Sequence, residues 1–411
     1  MGSKLIFTSI LISLLVSCTN QDKGSESSNR IDIEGSLENT TKLNLSDFGK
    51  TIRYIPLETT DRCLVGNNPI VKVLKNHIVI EANNGCLLFD KKDGRFISTI
   101  GHIGQDPEAY SSAFSWADES ENFLYFTRQP NQLMKYDMNG EFSGKIELSN
   151  PGLAAYYLLT DSEIVGYYNE LGYSHNFCLA LFDKEGGLQD TIPSLRHKLE
   201  ESMNDVMNVS VIKGHDIYGI WTKTGAIIID YKNDKRLIVA ADAATLWKYN
   251  ETIRFKETFV DTIYTVAGRE LIPAIVFNTG KWHWPENERT SKSRTSERIF
   301  VSSVSESDTF IFFQCIKGLY SDEFILYNGL YNKKTGETKL GKNSDAIQDD
   351  LTNFMPFKPL AMSTSGEFVS LIEAGDIMDW IEEHPEAKNN DKLSFLKELN
   401  EDMNPVILLV E

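Results

Sequence analysis

The chain has little positive charge for its length, and this limits the partners that it can bind. Its 411 residues include 41 Lys and Arg against 59 Asp and Glu, which gives a formal net charge of −18. Binding to phosphate backbones requires a basic surface, so this composition argues against nucleic acid as a partner. Adsorption to anionic lipid through surface charge is disfavoured for the same reason.

Cysteine is scarce, and its spacing predicts no metal site. Four of the five cysteines, Cys63, Cys86, Cys178 and Cys315, are widely separated, and no CxxC pair is present. Four such residues allow three disulfide pairings that the sequence cannot rank. The alternative is that they are small buried residues of strands, and the apolar neighbours of Cys86, Cys178 and Cys315 favour this interpretation.

Familiar catalytic motifs are missing as well. The chain contains no GxSxG, HExxH or P-loop sequence and no calcium loop of the EF-hand kind. Most histidines are isolated, but His102 lies near Asp106 and Glu108, a combination that could perform acid–base chemistry. The alternative is that these three are ordinary solvated residues of a loop. We therefore assign no catalytic residue and no cofactor from the sequence.

The one long apolar run, Leu5 to Val16, is at the N-terminus and is too short to cross a bilayer comfortably. It ends in Leu15-Val16-Ser17-Cys18, which resembles the lipobox of bacterial lipoproteins. The resemblance implies that residues 1–17 are a signal peptide and that Cys18 becomes a lipidated N-terminus; the alternatives are an ordinary signal peptide or a membrane helix with a stray cysteine. Acyl chains on Cys18 would anchor the protein in the membrane. Residues 18–30 are polar, which is typical of a flexible tether.

The remainder of the chain consists of short apolar runs separated by turn residues, which predicts β-structure. Leu64 to Ile100 contains four runs rich in β-branched and aromatic residues, with Asn, Asp and Gly at the breaks. The pattern repeats over 113–148, and a turn of the type LFDKKDGRF recurs as KYDMNGEF and LFDKEGGLQ at intervals of about 45 residues, which is typical of propeller blades. Further strands at 209–240, 253–278 and 299–340 are predicted to form blades four, five and six.

Both ends of the domain are predicted to contribute strands to one blade. An open propeller would leave unpaired strand edges, and Ile52–Glu58 and Pro405–Glu411 are the candidates to close the ring. Before the second of these, apolar residues recur at helical spacing, which predicts two amphipathic helices around a loop at Pro385–Asn390. The residues that define them are Ile377, Trp380 and Ile381, then Leu393, Leu396 and Leu399. The helices would cover the propeller or, alternatively, bind a partner.

Four phrases carry a resemblance to a known family: IPLET from Ile55, GHIGQDP from Gly101, DTIY from Asp261 and NPV from Asn404. In order and separation they resemble the six-bladed β-propeller lipoproteins of Bacteroidetes. The resemblance implies an all-β fold, with one six-bladed propeller over residues 31–411 and a short helical insertion at about 375–402 before the closing strand. It also implies an outer membrane lipoprotein that faces either the periplasm or the cell surface.

The second phrase departs from the family pattern. The family usually has GQGPGEY, whereas this chain has Asp106, Glu108 and Ala109 at the corresponding positions. The loss of two glycines removes positions at which a backbone could approach a ligand closely. The loop is therefore expected mainly to join two blades.

The expected function is binding. Propellers gather loops from every blade around a channel, which suits recognition of a glycan, a peptide or another envelope protein; a lyase or hydrolase at the channel mouth is the alternative. Trp282 and Trp284 alternate in GKWHWP and could form an aromatic platform, although a strand end that fills its core shows the same alternation. With His102, they are the candidate ligand contacts.

Overall fold

The computed structural model describes residues 30–411, except for positions 68, 83–84, 150–151, 169–176, 197–200, 213–225, 241–245, 258, 292–296, 320 and 322–323. The predicted signal peptide, Cys18 and the tether up to residue 29 lie outside the described residues. Strands dominate, as predicted. No helix among the described residues has the length and apolar character needed to cross a membrane.

The described residues form thirty strands and two α-helices. The strands are β1 (Arg30–Asp32), β2 (Leu43–Asn44), β3 (Ile52–Pro56), β4 (Ile70–Val73), β5 (His77–Ala82), β6 (Gly85–Asp90), β7 (Phe96–Thr99), β8 (Ser115–Ala117), β9 (Phe123–Arg128), β10 (Gln132–Asp137), β11 (Phe142–Glu147), β12 (Tyr156–Leu159), β13 (Ile164–Tyr167), β14 (Phe177–Phe182), β15 (Leu188–Pro193), β16 (Val206–Ile212), β17 (Ala226–Tyr231), β18 (Arg236–Ala240), β19 (Leu246–Tyr249), β20 (Thr252–Phe255), β21 (Thr262–Ala267), β22 (Glu270–Asn278), β23 (Ile299–Glu306), β24 (Phe310–Lys317), β25 (Ile325–Asn332), β26 (Thr338–Lys342), β27 (Ile347–Gln348), β28 (Ala361–Met362), β29 (Phe368–Ile372) and β30 (Val406–Val410). The helices are α1 (Ile33–Leu37) and α2 (Ala374–Glu383).

Consecutive strands pair into antiparallel sheets of a recurring type. Four strands in chain order form each of the sheets β4–β7, β8–β11, β12–β15 and β23–β26, and β19–β22 forms a similar sheet with β1 added at its outer edge. Strands buried on both faces, such as β30, are continuous runs of Val, Ile and Leu. Outer strands such as β11 alternate between partly buried and exposed residues, because one face remains in solvent.

The three repeated turns predicted from the sequence share one geometry. Asp90 and Asp137 each accept a hydrogen bond from the backbone N–H two residues later, at 2.8 and 2.9 Å, and Asp183 does the same at 3.1 Å. Gly94 and Gly140 follow with φ of +75° and +91°, a conformation that strongly favours glycine. The shared Asp and Gly therefore specify the turn between the third and fourth strands of a sheet.

The first strands of several sheets contact one another. β12 contacts β8 on one side and β19 on the other, and β28 contacts both β4 and β23. Where the sequence predicts a fourth blade, at 209–240, the described residues form a three-stranded sheet, β16–β18, in place of a four-stranded one. These three strands have the same alternation and turn residues as the strands of a four-stranded sheet, so the local sequence did not distinguish them.

The two ends of the described chain meet in one sheet. β30 pairs with β29 and, antiparallel, with β3, from Ile52 opposite Val410 to Pro56 opposite Val406. This confirms that the two predicted terminal strands share a sheet. The sequence did not predict that the preceding segment also adds β1 to β22 and β2 to β27, both parallel.

The helical insertion lies between β29 and β30, but only its first half is an α-helix. Helix α2 buries Ala374, Ile377 and Ile381. The predicted loop is a 3-10 turn at Pro385–Asn389, and the predicted second α-helix is 3-10 at Asp391–Lys397. Leu393 and Leu396, three residues apart, lie in a helix with three residues per turn and are both buried, as is Leu399 just after it.

The four described cysteines are buried thiols. Cys63, Cys86, Cys178 and Cys315 are all free and buried. For the last three, this confirms the interpretation as small residues of the core. Burial raises the pKa of Cys178 to about 12 and that of Cys315 still further, so neither is a reactive thiolate near neutral pH.

Candidate functional site

The sheet topology places two kinds of loop at one end of the strands. In a four-stranded antiparallel sheet, the loop between the second and third strands lies at the same end as the connection to the next sheet. We call this the connection end and the opposite one the turn end. The connection end carries residues 100–114 with His102, residues 279–291 with both candidate tryptophans, and the helical insertion between β29 and β30.

His102 makes an exposed hydrogen bond to Asp106. Its Nε2 is 2.5 Å from Oδ2 of Asp106, and more than half of the His102 side chain is exposed. The hydrogen bond with His102 lowers the pKa of Asp106 below its ordinary value. An exposed pair of this kind can contact a ligand but contributes little to stability.

The loop around His102 is packed firmly against the neighbouring sheet. Tyr110 is fully buried, stacks on Phe126 at a centroid distance of 4.2 Å and donates a hydrogen bond to the Ile100 carbonyl at 2.9 Å. Arg128 Nη1 donates to the Asp106 carbonyl at 2.6 Å. The phrase that carries the family resemblance is thus a packing element that joins two sheets.

The two candidate tryptophans have different environments. Trp284 is only 6% exposed and meets Phe259 edge-on at 5.3 Å. Trp282 is half-buried, and the Lys317 ammonium lies 3.6 Å from the centre of its ring. The segment is not a strand end: a 3-10 turn at Gly280–Trp282 follows β22. The two rings therefore do not form one continuous exposed platform.

His283, between the tryptophans, is the exposed group of this segment. Its Nδ1 is 3.0 Å from Oδ2 of Asp261, which also accepts a hydrogen bond from the Thr279 hydroxyl at 2.8 Å. The hydrogen bond with Asp261 raises the pKa of His283. Asp261, the first residue of the DTIY phrase, thus joins two loops of the connection end. Sequence reasoning missed this pairing because the partners are 22 residues apart.

Buried charged residues lie a few positions before Asp261 in the sequence. Lys256, only 6% exposed, donates to the Val301 carbonyl at 2.9 Å, and burial lowers its pKa to about 8. Nearby along the chain, Arg196 Nε lies 3.3 Å from Oε1 of Glu257. A lysine with such a pKa can act as a base or nucleophile. Here, however, main-chain oxygen atoms hold the ammonium and the side chain is enclosed, so we interpret it as structural.

The turn end carries buried ion pairs that the sequence analysis did not predict. Glu367 accepts hydrogen bonds from Lys91 and from the Ser363 hydroxyl, and Glu306 accepts one from Lys333 at 2.8 Å. Lys91 and Lys333 each follow the Asp or Asn of a repeated turn, in FDKKDG and YNKKTG. The lysine that recurs at this position is the sequence feature from which these ion pairs could have been predicted.

The described part of the chain offers no evident metal centre. It contains no group of three or more His, Cys, Asp or Glu side chains arranged to hold an ion. Cys18, the predicted lipidation site, is outside that part of the chain.

Comparison with known proteins identifies a family and supports the fold. Residues 28–411 match the family model described as "Domain of unknown function (DUF4934)", and no curated protein matches. A crystal structure of a candidate exported protein from Bacteroides fragilis is similar at 18% identity and a TM-score of 0.63, over 93% of this chain and 98% of that one. The β-propeller domain of Swd1 from Myceliophteria thermophila matches at 10% identity and a TM-score of 0.35, over 72% and 91%. BamB from Moraxella catarrhalis matches at 9% and 0.32, over 76% and 75%. The chain has an all-β fold.

Proposed function

We propose that this chain, which belongs to the DUF4934 family, is a lipid-anchored binding module of the bacterial envelope built on a closed six-bladed propeller. The six blades would be the five sheets that begin with β4, β8, β12, β19 and β23, and the sheet β28–β29–β30–β3. Contacts between their first strands support this order. Pairing of β3 with β30 would close the ring by joining the two ends of the described chain in one blade.

The proposed location rests on the N-terminal sequence. The lipobox-like order at Leu15–Cys18 supports cleavage before Cys18 and lipidation of its thiol, with anchoring in the outer membrane. The similar Bacteroides fragilis protein is itself described as exported, which agrees with this location. The anchored domain would face either the periplasm or the cell surface.

The main support for a binding role is the position of His283 and Trp282 at the connection end. A hydrogen bond to Asp261 holds the exposed His283, and Trp282 beside it is only half-buried. A protonatable donor next to an aromatic ring is suited to a glycan or peptide with polar and apolar surface. His102, on another connection at the same end, would be a second contact.

Binding by purified residues 19–411 to immobilised oligosaccharides and peptides tests this role. We expect at least one of them to bind, and W282A and H283A to weaken that binding by about tenfold or more, the range of well-placed contacts. The matched control is H77A, because His77 begins β5 at the turn end. Binding by W282A and H283A as tight as by the unsubstituted protein, or no binding to the whole panel, would refute the proposed role.

The anchor has a separate test. Cells grown with a labelled fatty acid should incorporate the label into the full chain and lose it in C18A. Label retained in C18A would place the modification elsewhere, and label absent from both forms would reject lipidation.

A further inference from the structure

We infer a second binding site, at the turn end between the sheets β19–β22 and β23–β26, for a small ligand that carries one carboxylate. The site lies at the opposite end of the strands from the proposed ligand-binding loops and goes beyond that proposal. It is a cleft of about 390 Å³, within the range of small-molecule pockets. Its lining includes Tyr249, Arg254, Thr265, Ala274, Glu306 and Lys333.

The cleft contains one positive charge in excess. Glu306 has a fully buried side chain and accepts hydrogen bonds from Lys333 Nζ and from Trp247 Nε1, each at 2.8 Å. Arg254 is the second cation, and its Nε is 3.6 Å from Oε2 of Glu306. Lys333 therefore balances Glu306, and the charge of Arg254 remains for a ligand. A single excess charge favours a carboxylate over a doubly charged phosphate.

Arg254 has spare hydrogen-bonding capacity. Of the five donors of a guanidinium, Nε is buried beside Glu306 and Nη1 donates to the Thr265 hydroxyl, so the donors that remain for a ligand are on the two terminal nitrogen atoms. The side chain remains 15% exposed, so part of the guanidinium is open to the cleft. A planar guanidinium with an unused edge matches a carboxylate in a bidentate arrangement.

Aromatic and backbone features complete the walls. The Tyr249 ring lies under both cations, 3.7 Å from Lys333 Nζ and 5.4 Å from the Arg254 guanidinium carbon, and this orients them. On the outer side, Tyr264 pairs with Pro273 and Ile263 with Ile275, so Ala274 is an extra, bulged residue. Bulges bend a strand and are frequent beside binding sites.

The ion cluster around Glu367 resembles the one around Glu306 but differs in the exposure of its arginine. Glu367 is paired with Lys91, and Arg53 Nη2 lies 3.6 Å from Glu367 Oε1, as Arg254 lies from Glu306. The Arg53 side chain, however, is 45% exposed and solvated. Arg53 is therefore the matched control for Arg254.

The test is calorimetric titration of the purified protein with two acids of different origin, D-glucuronate and N-acetylphenylalanine, each beside its neutral counterpart, D-glucose and N-acetylphenylalanine amide. We expect at least one acid to bind more tightly than its neutral counterpart, with affinity that falls as salt rises. R254Q should lose at least about tenfold in affinity, R254K should lose less than R254Q, and R53Q should bind unchanged.

The fold of R254Q should survive, because Lys333 and Trp247 still pair with Glu306; a melting temperature close to that of the unsubstituted protein checks this. Binding of the sugar acid alone or of the amino acid derivative alone identifies the ligand type. Failure of both acids to bind, or equal affinity of R254Q and R53Q, would overturn the inference. Either result leaves the connection-end proposal intact, since W282A and H283A act at the other end.

Discussion

The Lys91–Glu367 pair gives a sharp test of how the first and last sheets are joined at the turn end. Lys91 lies in the turn after β6 and Glu367 precedes β29, and the two residues are 7% and 4% exposed. K91M would leave the Glu367 carboxylate buried with only the Ser363 hydroxyl at 2.6 Å and the solvated Arg53 at 3.6 Å. Removing one partner of a buried pair typically costs about 3 to 5 kcal/mol, a large share of the stability of most domains.

The loss of stability in K91M should depend on pH in a defined direction. Burial alone would raise the pKa of Glu367, but hydrogen bonds from Lys91 and Ser363 outweigh it and hold this pKa below its ordinary value. A depressed carboxyl pKa contributes stability above the unfolded-state pKa, about 4.3, and this contribution disappears as pH falls through the folded-state value. The difference between K91M and the unsubstituted protein should therefore be largest near pH 7 and shrink below pH 4.

Urea unfolding at the two pH values, followed by tryptophan fluorescence, measures both effects. K92M is the control, because Lys92 is the exposed neighbour in the same turn. The variant K91M/E367M, which removes both charges, should be more stable than K91M alone. A free energy of unfolding for K91M within about 1 kcal/mol of the control at pH 7 would refute the reasoning.

Three further predictions concern the connections and turns. Y110F removes only the hydrogen bond to the Ile100 carbonyl and should cost about 1 kcal/mol, whereas Y110A also removes the ring stacked on Phe126 and should cost about 3 to 5 kcal/mol in urea unfolding; equal losses would contradict the buried stacking. G140A should lower the melting temperature more than G336A, because a Cβ at Gly140 would lie 2.2 Å from the Thr99 carbonyl oxygen whereas Gly336 has open space, and both have positive φ. In D261N the NMR titration midpoint of His283 should fall, since its raised pKa depends on the Asp261 carboxylate. The stability gained from this pair is complete below the unfolded-state pKa of His283 and is lost as pH rises through the folded value; an unchanged midpoint would show that the pair does not form.

The sequence predicted those parts of the fold that depend on local signals. The Asp–Gly turns after β6, β10 and β14 require particular backbone angles, so their residues are visible in the sequence. The presence of β3 and β30 in one sheet was also predictable, because a ring left open would expose unpaired strand edges. The three-stranded sheet β16–β18 was predicted as a blade because its strands have the same alternation and turn residues as those of the four-stranded sheets. Leucines spaced by three in the insertion were read as an α-helix although that spacing fits a 3-10 helix better.

The candidate sites depended on contacts between distant residues, and there the sequence was less informative. Trp282 and Trp284 share a motif, but one ring is half-buried and the other is buried. Arg254, Glu306 and Lys333 come from two different sheets, and no local pattern joins them. Their proximity follows from how neighbouring sheets pack, which a single sequence does not reveal.

Hydrogen exchange at β3 tests the closure of the ring most directly. Thr51 and Glu411 exchange both backbone hydrogen bonds, at 3.2 and 3.1 Å, so the alternating register directs the N–H groups of Arg53 and Ile55 toward β30. If the ring is closed in solution, these two amides should exchange only through global unfolding, with the same free energy as the amides of β30. Exchange of Arg53 and Ile55 as fast as that of the exposed Lys92 amide, while β29 and β30 stay protected, would contradict a closed propeller.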